Sequence, residues 1–289
     1  MNWKYVVITP VRDEEAYLRH TMESMVRQTV PPAEWVIVND GSTDGTGEII
    51  DRYAPEHAWI HPLHRTNRGF RKSGGGVVEA FNEGLDVLAC RDWNFIVKLD
   101  GDLSFESDYF EKCFVHFEED TRLGVGGGVI YNVMPDGTTK LEAGPDFHVR
   151  GATKIYRREC WEGIGGFWPA PGWDTLDEVK ANMKGWTSRS FPELPLTHYR
   201  VTGAADGQWR NLVKNGKSDF ICGYHPMFMI AKCIARLACQ PYILGSIALA
   251  YGFIAGYLTR TPQVNDPELI RYLRTQQVGR LWGGTTIWK

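Results

Sequence analysis

Apolar runs and amphipathic stretches alternate along the first hundred residues. Residues 5–9, from Tyr5 to Thr9, form a continuous apolar run. Residues 13–28 follow with Ala16, Leu18, Met22, Met25 and Val26 near helical spacing, which predicts a strand and then a helix. The pattern repeats with Trp35-Val36-Ile37-Val38 and a helix over 43–53, for which Ser42 or Thr43 offers a cap. A strand near 58–63, a helix over 73–89 and the strand Phe95-Ile96-Val97-Lys98-Leu99 continue it. Strands apolar on both faces, alternating with helices, predict an α/β fold with a mostly parallel sheet covered on both sides. Right-handed crossovers then bring the strand C-termini to one edge, where such sheets bind ligands. Beyond that edge the order changes: strands are expected over 123–131 and 153–157, a turn at 135–138, and a helix over 178–184 ended by Gly185.

The last quarter is patterned differently. No residue from 237 to 259 is charged, Lys232 and Arg236 precede this run, and Arg260 follows it. Its length reaches the ~20 residues a bilayer crossing needs. Gln240-Pro241 interrupts its start, while Gly252 and Gly256 give a small-xxx-small spacing suited to close helix packing. Membrane attachment is the expectation, by a span or by an interfacial helix.

Composition narrows the picture. With 32 Lys and Arg against 35 Asp and Glu, a net charge of −3 argues against a nucleic-acid binder relying on a broad basic face. Six cysteines without a CxxC pair signal neither a zinc knuckle nor a disulfide framework. Met1-Asn2-Trp3-Lys4 runs straight into the first strand without a signal-peptide pattern, so the expected location is the cytoplasmic side of the cell membrane, peripheral or single-pass.

Polar clusters follow the predicted strands: Thr9-Pro10-Val11-Arg12-Asp13-Glu14-Glu15, Asn39-Asp40-Gly41-Ser42-Thr43-Asp44-Gly45-Thr46, and Asp100-Gly101-Asp102. Each alone is ordinary turn chemistry. Together with Asn67-Arg68-Gly69, Gly165-Gly166-Phe167, Trp173-Asp174 and Gly185-Trp186, the ordered set over about residues 4–200 resembles the family 2 glycosyltransferases of GT-A fold. The resemblance implies a GT-A domain over 1–222, with a donor half over about 1–103 and an acceptor half over about 104–222. A helical, membrane-associated tail over 223–289 completes the expected organisation.

A nucleoside-diphosphate sugar leaves behind a charged diphosphate, and a hard cation held by carboxylates can take up that charge. In Asp100-Gly101-Asp102, strand alternation sends both carboxylates to one side while Gly101 permits close approach. The resemblance implies that Asp102 binds Mn2+ or Mg2+, and that Asp100 binds the ribose or the metal. It implies that Asp40 reads a uracil or guanine base, with Pro10, Arg12 and Glu14 shaping the pocket, although a turn-forming Asp is an equal reading. His198 is a candidate third ligand, and Gly151 resembles the glycine that lets backbone approach the donor sugar.

Asp174 is the expected catalytic base of an inverting transfer, which needs a carboxylate to take the acceptor proton. The family's usual Glu-Asp is here Trp173-Asp174. Asp177 is the alternative base; a helix N-terminal charge favourable to the dipole is the plainer reading for Asp177 and Glu178. Arg200, Arg210 and Lys214 could neutralise the departing diphosphate. Gln208-Trp209-Arg210 departs from the Gln-x-x-Arg-Trp of processive synthases, which favours single addition.

The expected substrates are a UDP-sugar before a GDP-sugar, and a lipid-linked or glycan acceptor in surface polysaccharide or glycoconjugate assembly. Trp168, Trp173, Trp186 and Trp209 could stack on sugars, though core packing is the commoner use of such rings. Ser73-Gly74-Gly75-Gly76 lacks the Lys-Ser/Thr ending of a phosphate loop. Two rival readings are a nucleotidyltransferase on a similar sheet, which the acidic first loop disfavours, and a non-catalytic, membrane-associated sugar-nucleotide-binding module.

Overall fold

A computed structural model describes residues 3–70, 75–142, 144–200 and 207–288. The first half is a run of βα units: β1 (Tyr5–Val11), α1 (Leu18–Val26), β2 (Glu34–Asn39), α2 (Thr46–Tyr53), β3 (Ile60–His64), α3 (Gly75–Val87) and β4 (Phe95–Leu99). Then come β5 (Leu103–Ser104), α4 (Tyr109–Glu119), β6 (Leu123–Val133), β7 (Thr139–Leu141), β8 (Thr153–Arg157), α5 (Arg158–Ile164), α6 (Trp173–Met183) and β9 (Thr187–His198). Four helices close the chain: α7 (Gln208–Ile221), α8 (Pro226–Arg236), α9 (Tyr242–Leu258) and α10 (Pro267–Leu281).

The strands form one sheet in the order β3-β2-β1-β4-β8-β6-β9-β5, with β7 on β6. Pairing is parallel from β3 to β4, antiparallel from β4 through β8 to β6, parallel again at β6–β9, and antiparallel at β5 and β7. The mostly parallel sheet read from the sequence therefore holds for the first half only. After β4 the chain returns through β8 in the opposite sense, which makes the sheet mixed.

Period-two alternation divides the core. Tyr5, Val7, Trp35, Ile37, Phe95 and Val97 join one buried cluster with α1, α2 and α4. Val6, Ile8, Val36, Val38 and Ile96 join a second beneath α3, α5 and α6. A third cluster unites Leu176 and Val179 of α6 with apolar residues of α7–α10, so the terminal helices are continuous with the layer that holds α6.

Two local expectations shift. α2 starts at Thr46 after Gly45, which has no side chain to cap it; Asp44 Oδ1 accepts from the Thr46 N–H (3.1 Å), while the Thr43 N–H bonds into the neighbouring loop. α6 starts at Trp173, five residues before the predicted start, after Gly172 turns the chain at φ 85°. Ser73 and Gly74 lie outside the described residues, and Gly75 and Gly76 open α3.

The uncharged run over 237–259 is not a membrane span. Pro241, with no N–H to give, separates α8 from α9. The 17 residues of α9 are about 26 Å long at 1.5 Å per residue, short of the ~30 Å hydrocarbon core. Among the described residues no helix is long and apolar enough to cross a membrane.

Candidate functional site

The loops after β1 and β2 are hydrogen-bonded to each other. The Glu14 N–H donates to Thr46 Oγ1 (2.8 Å), Gly45 N–H to Glu15 Oε2 (3.0 Å) and Thr43 N–H to Asp13 Oδ1 (2.9 Å). Asp13 holds a left-handed backbone at φ 54°, uncommon for a residue with a side chain. Asp40, just past β2, is buried, and guanidinium groups surround its carboxylate. Arg65 Nη1 donates to Oδ1, and Arg68 donates to Oδ1 (3.0 Å) and Oδ2 (2.6 Å). Arg12 donates to the Asp40 carbonyl (2.8 Å) and to Asn67 Oδ1 (2.9 Å). Pro10 sits on β1 opposite Val38 of β2. The Glu14 carboxylate reaches Arg200: its Oε2 accepts from Arg200 Nη2 at 2.7 Å. Sequence reading named Asn67-Arg68-Gly69 without giving Arg68 a role, and passed over Arg65.

β4 delivers Asp100-Gly101-Asp102 to the sheet edge. A Cβ on Gly101 would meet the Val11 and Leu18 side chains, so only glycine fits against the end of β1. Asp102 is buried, and its Oδ1 has no hydrogen-bond partner. His198 Nε2 lies 3.2 Å from that oxygen, outside hydrogen-bond geometry. The other ring nitrogen, Nδ1, lies 3.0 Å from Asn132 Oδ1; an amide oxygen can only accept, so the proton sits on Nδ1. Burial disfavours the imidazolium, yet the carboxylates of Asp102, Asp100 and Glu142 outweigh it and raise the His198 pKa.

Asp100 faces another cation. Lys98 Nζ donates both to Asp100 Oδ1 and to the Gly151 carbonyl. Loss of water pushes the Asp100 carboxyl up, Lys98 opposes that, and Asp102 adds to it. Among the described residues no three His, Cys, Asp or Glu side chains are gathered around a cation position. The pair Asp102 and His198 nevertheless suits a divalent ion, because one buried carboxylate oxygen lacks a donor and an imidazole nitrogen faces it. Arg200 Nε lies 4.0 Å from the second Asp102 oxygen.

Gly151 joins this cluster to Asp174. A Cβ there would stand 3.4 Å from the Asp174 Cβ and from the Trp173 ring, so the turn carrying Gly151 lies against the first turn of α6. Asp174 is half-buried on that turn, and Lys154 Nζ donates to its carbonyl at 2.5 Å. The Lys98 and Lys154 ammonium groups lie 5.6 and 5.7 Å from the Trp173 ring centre. Trp173 also packs on Phe167 as part of the core, while Trp209 is exposed on α7.

Behind this turn is a buried ionic network. Lys98 of β4 stands directly opposite Lys154 of β8, an arrangement that requires anions nearby. Lys154, with no exposed side-chain surface, donates to Asp177 (2.8 and 3.0 Å) and pairs with Glu178 (2.9 Å). Tyr156 donates its hydroxyl to Asp177. Glu178 accepts from the Val149 N–H (2.7 Å) and lies 2.8 Å from His148 Nδ1. Burial above all pushes the Asp177 carboxyl up to about 6, Lys154 works against this, and Glu178 adds to it.

Asp177 and Glu178 are therefore anchors with no route to substrate, rather than charges on an open helix end. The cluster brings together Asp100, Asp102, His198, Gly151, Asp174 and Arg200. Arg210 is exposed on the first turn of α7.

The chain resembles several known proteins. It is 34% identical over 124 residues to the glycosyltransferase GlyA of Streptococcus pneumoniae, covering 42% of this chain and 16% of that one. It is 31% identical over 105 residues to an undecaprenyl-phosphate mannosyltransferase of Micrococcus luteus, covering 36% of this chain and 40% of that one. The matches take in between 16% and 60% of the length of the first curated relatives. In fold it is similar to the mannosyltransferase PcManGT from Pyrobaculum calidifontis, solved with GDP-Man and Mn2+, at a TM-score of 0.59 and 17% identity, covering 99% of this chain and 89% of that one. That likeness establishes the GT-A-like fold. The model of glycosyl transferase family 2 matches residues 6–170, more than half the chain, and the protein belongs to that family.

Proposed function

We propose that this chain is an inverting, cation-assisted glycosyltransferase that moves a sugar from a UDP-sugar to a lipid-linked hydroxyl or phosphate in surface polysaccharide or glycoconjugate assembly. One observation carries the reading: Gly151 touches both the Lys98–Asp100 pair and the first turn of α6, so the diphosphate side and the base side meet at one turn. The donor lies over β1–β4, with its base at Asp40 and its sugar against Gly151. With a hydroxyl acceptor, Asp174 takes the proton from the acceptor oxygen as that oxygen attacks the anomeric carbon and the bond to the diphosphate breaks; an ionised phosphate oxygen would attack without that proton transfer. Arg200, beside Asp102, receives part of the charge left on the diphosphate. Mn2+ or Mg2+, held by Asp102 and His198 with Asp100 close by, would neutralise the remainder.

The nucleotide preference follows from hydrogen-bonding edges. Uracil offers a carbonyl, an N–H and a second carbonyl in a row, and Asp40 between two guanidiniums is the complementary acceptor between donors. Guanine offers two donors side by side and leaves one guanidinium without an acceptor. GDP-sugars, as bound by PcManGT, are the competing class. The lipid-linked acceptor rests on the similarity to the undecaprenyl-phosphate enzyme.

The test pairs binding with turnover. UDP with Mn2+ should raise the melting temperature more than GDP does. Asp174→Asn should keep that shift while transfer falls by about 10²–10⁴-fold. Unchanged turnover in this variant removes Asp174 from its role, and a larger shift with GDP removes the uracil assignment.

A further inference from the structure

The helix α9 is apolar on both its inward and its outward face. Its inward face combines the small residues Gly245, Ser246, Ala248 and Gly252 with buried Leu249 and Phe253, and its outward face carries further large apolar side chains. A Cβ on Gly252 would strike the Val213 carbonyl, and one on Gly216 would strike the Leu249 carbonyl, so α7 and α9 touch backbone to backbone. Turned outward are Ile243, Leu244, Ile247 and Ile254 of α9, joined by Ile230 and Ile234 of the adjoining α8. Each of the six is more than half exposed. Tyr242, Tyr251 and Tyr257 stand among them, also largely exposed. A soluble surface helix places such residues inward.

Charge identifies the occupant. From Phe220 to Asn265 the chain contains no Asp or Glu, while Arg236 and Arg260 stand beside the apolar stretch together with Lys232, which pairs with Asp219 at 2.7 Å. From Gly207 onward there are ten basic and three acidic residues, in a chain whose net charge is −3. Two such basic surfaces repel one another, which disfavours a second copy of this chain. A basic rim around aliphatic and tyrosine side chains suits an anionic lipid surface, where the apolar side chains enter the acyl boundary and the cations meet headgroups.

We infer that α8 and α9 form a platform that lies flat on an anionic bilayer without crossing it. The platform also carries the catalytic helix. A Cβ on Gly172, which precedes α6, would collide with Cys222 Sγ at the end of α7, and Cys222 Sγ reaches the Pro171 carbonyl at 3.6 Å. The end of α6 bearing Asp174 is thus mounted on the helix locked to α9. Its use, which rests on the transferase reading above, is to bring that carboxylate to acceptors borne by the same bilayer.

The test is flotation of the full chain with phosphatidylcholine vesicles containing about 30% phosphatidylglycerol, against phosphatidylcholine alone. The wild type should float with the anionic vesicles, less so as salt rises. The double variant Ile247→Glu/Ile254→Glu should lose at least about tenfold in partitioning. Its circular dichroism melt and UDP-induced shift should match the wild type. Failure of the wild type to float, or equal flotation of the variant, overturns the platform. So does light scattering that finds a wild-type dimer which the variant dissolves. A wild type that floats yet shows no nucleotide-induced shift upholds the platform and overturns the transferase reading.

Discussion

Around Asp40 the charged groups lie near water: the side chains of Arg65 and Arg68 are 18% and 20% exposed, and their carboxylate partner 11%. Behind Asp174 the charges are sealed, since Lys154, Asp177 and Glu178 have no exposed side-chain surface. Ions at a wet edge can exchange partners with an arriving ligand, because solvent screens each intermediate arrangement. Ions in a core cannot, because a lone buried charge is expensive and each one depends on the others. On the proposed reading, the Asp40 side is thus a place of exchange, and the Asp174 side a fixed mount for the proposed base.

Replacing the mount should have the largest effect. Lys154→Met strands Asp177 and Glu178, and should cost about 3–5 kcal/mol in denaturant unfolding. A cost below ~1 kcal/mol, the level of an exposed pair, would dissolve the contrast between the two regions. Lys98→Met leaves that network intact but frees Asp100 and the Gly151 carbonyl. Steady-state kinetics should show kcat down by about 10²-fold, the scale of a 1 Å misplacement, with donor KM little changed. Asp40→Ala should act on affinity: loss of a charged hydrogen-bonding partner weakens UDP by roughly 1–3 kcal/mol in calorimetry. Its melting temperature should fall less than that of Lys154→Met.

The smallest effect concerns pH. Burial lowers the His148 pKa, but the Glu178 charge and hydrogen bond outweigh it, so the folded value stands above 6.5. Its contribution to stability is therefore full below the unfolded value and is lost as pH rises through the folded one. The melting temperature should decline across that window, and His148→Gln should flatten the slope.

What could be read from the chain divides along the same line. Phe95–Leu99 and Thr153–Arg157 were legible to the residue, since apolar runs between turns mark buried strands. The loops holding Asp40, Asp100 and Asp102 were legible because their signals are contiguous in sequence. Lys98 and Lys154 were not, although each is a charge inside an apolar strand. Their meaning depends on strand pairing, which sets them opposite each other across a register that no local pattern records. Asp177 and Glu178 were misread as open helix-end charges because the helix begins at Trp173, after a turn that depends on contact with α7. The uncharged run over 237–259 showed apolarity but not which side of α9 would face inward, which the glycine contacts with α7 and the burial of Leu249 and Phe253 decide together.

Those glycine contacts also limit how the molecule can move. At Gly216 and Gly252 the backbones of α7 and α9 touch directly, and Phe220 of α7 packs against Gly256, Phe253 and Tyr257 of α9, so the two helices have little room to shift against each other. On the proposed reading, a displacement of the outer surface would pass through the end of α7 to Gly172 and the turn bearing Asp174, leaving adjustment to acceptors to loops away from that contact.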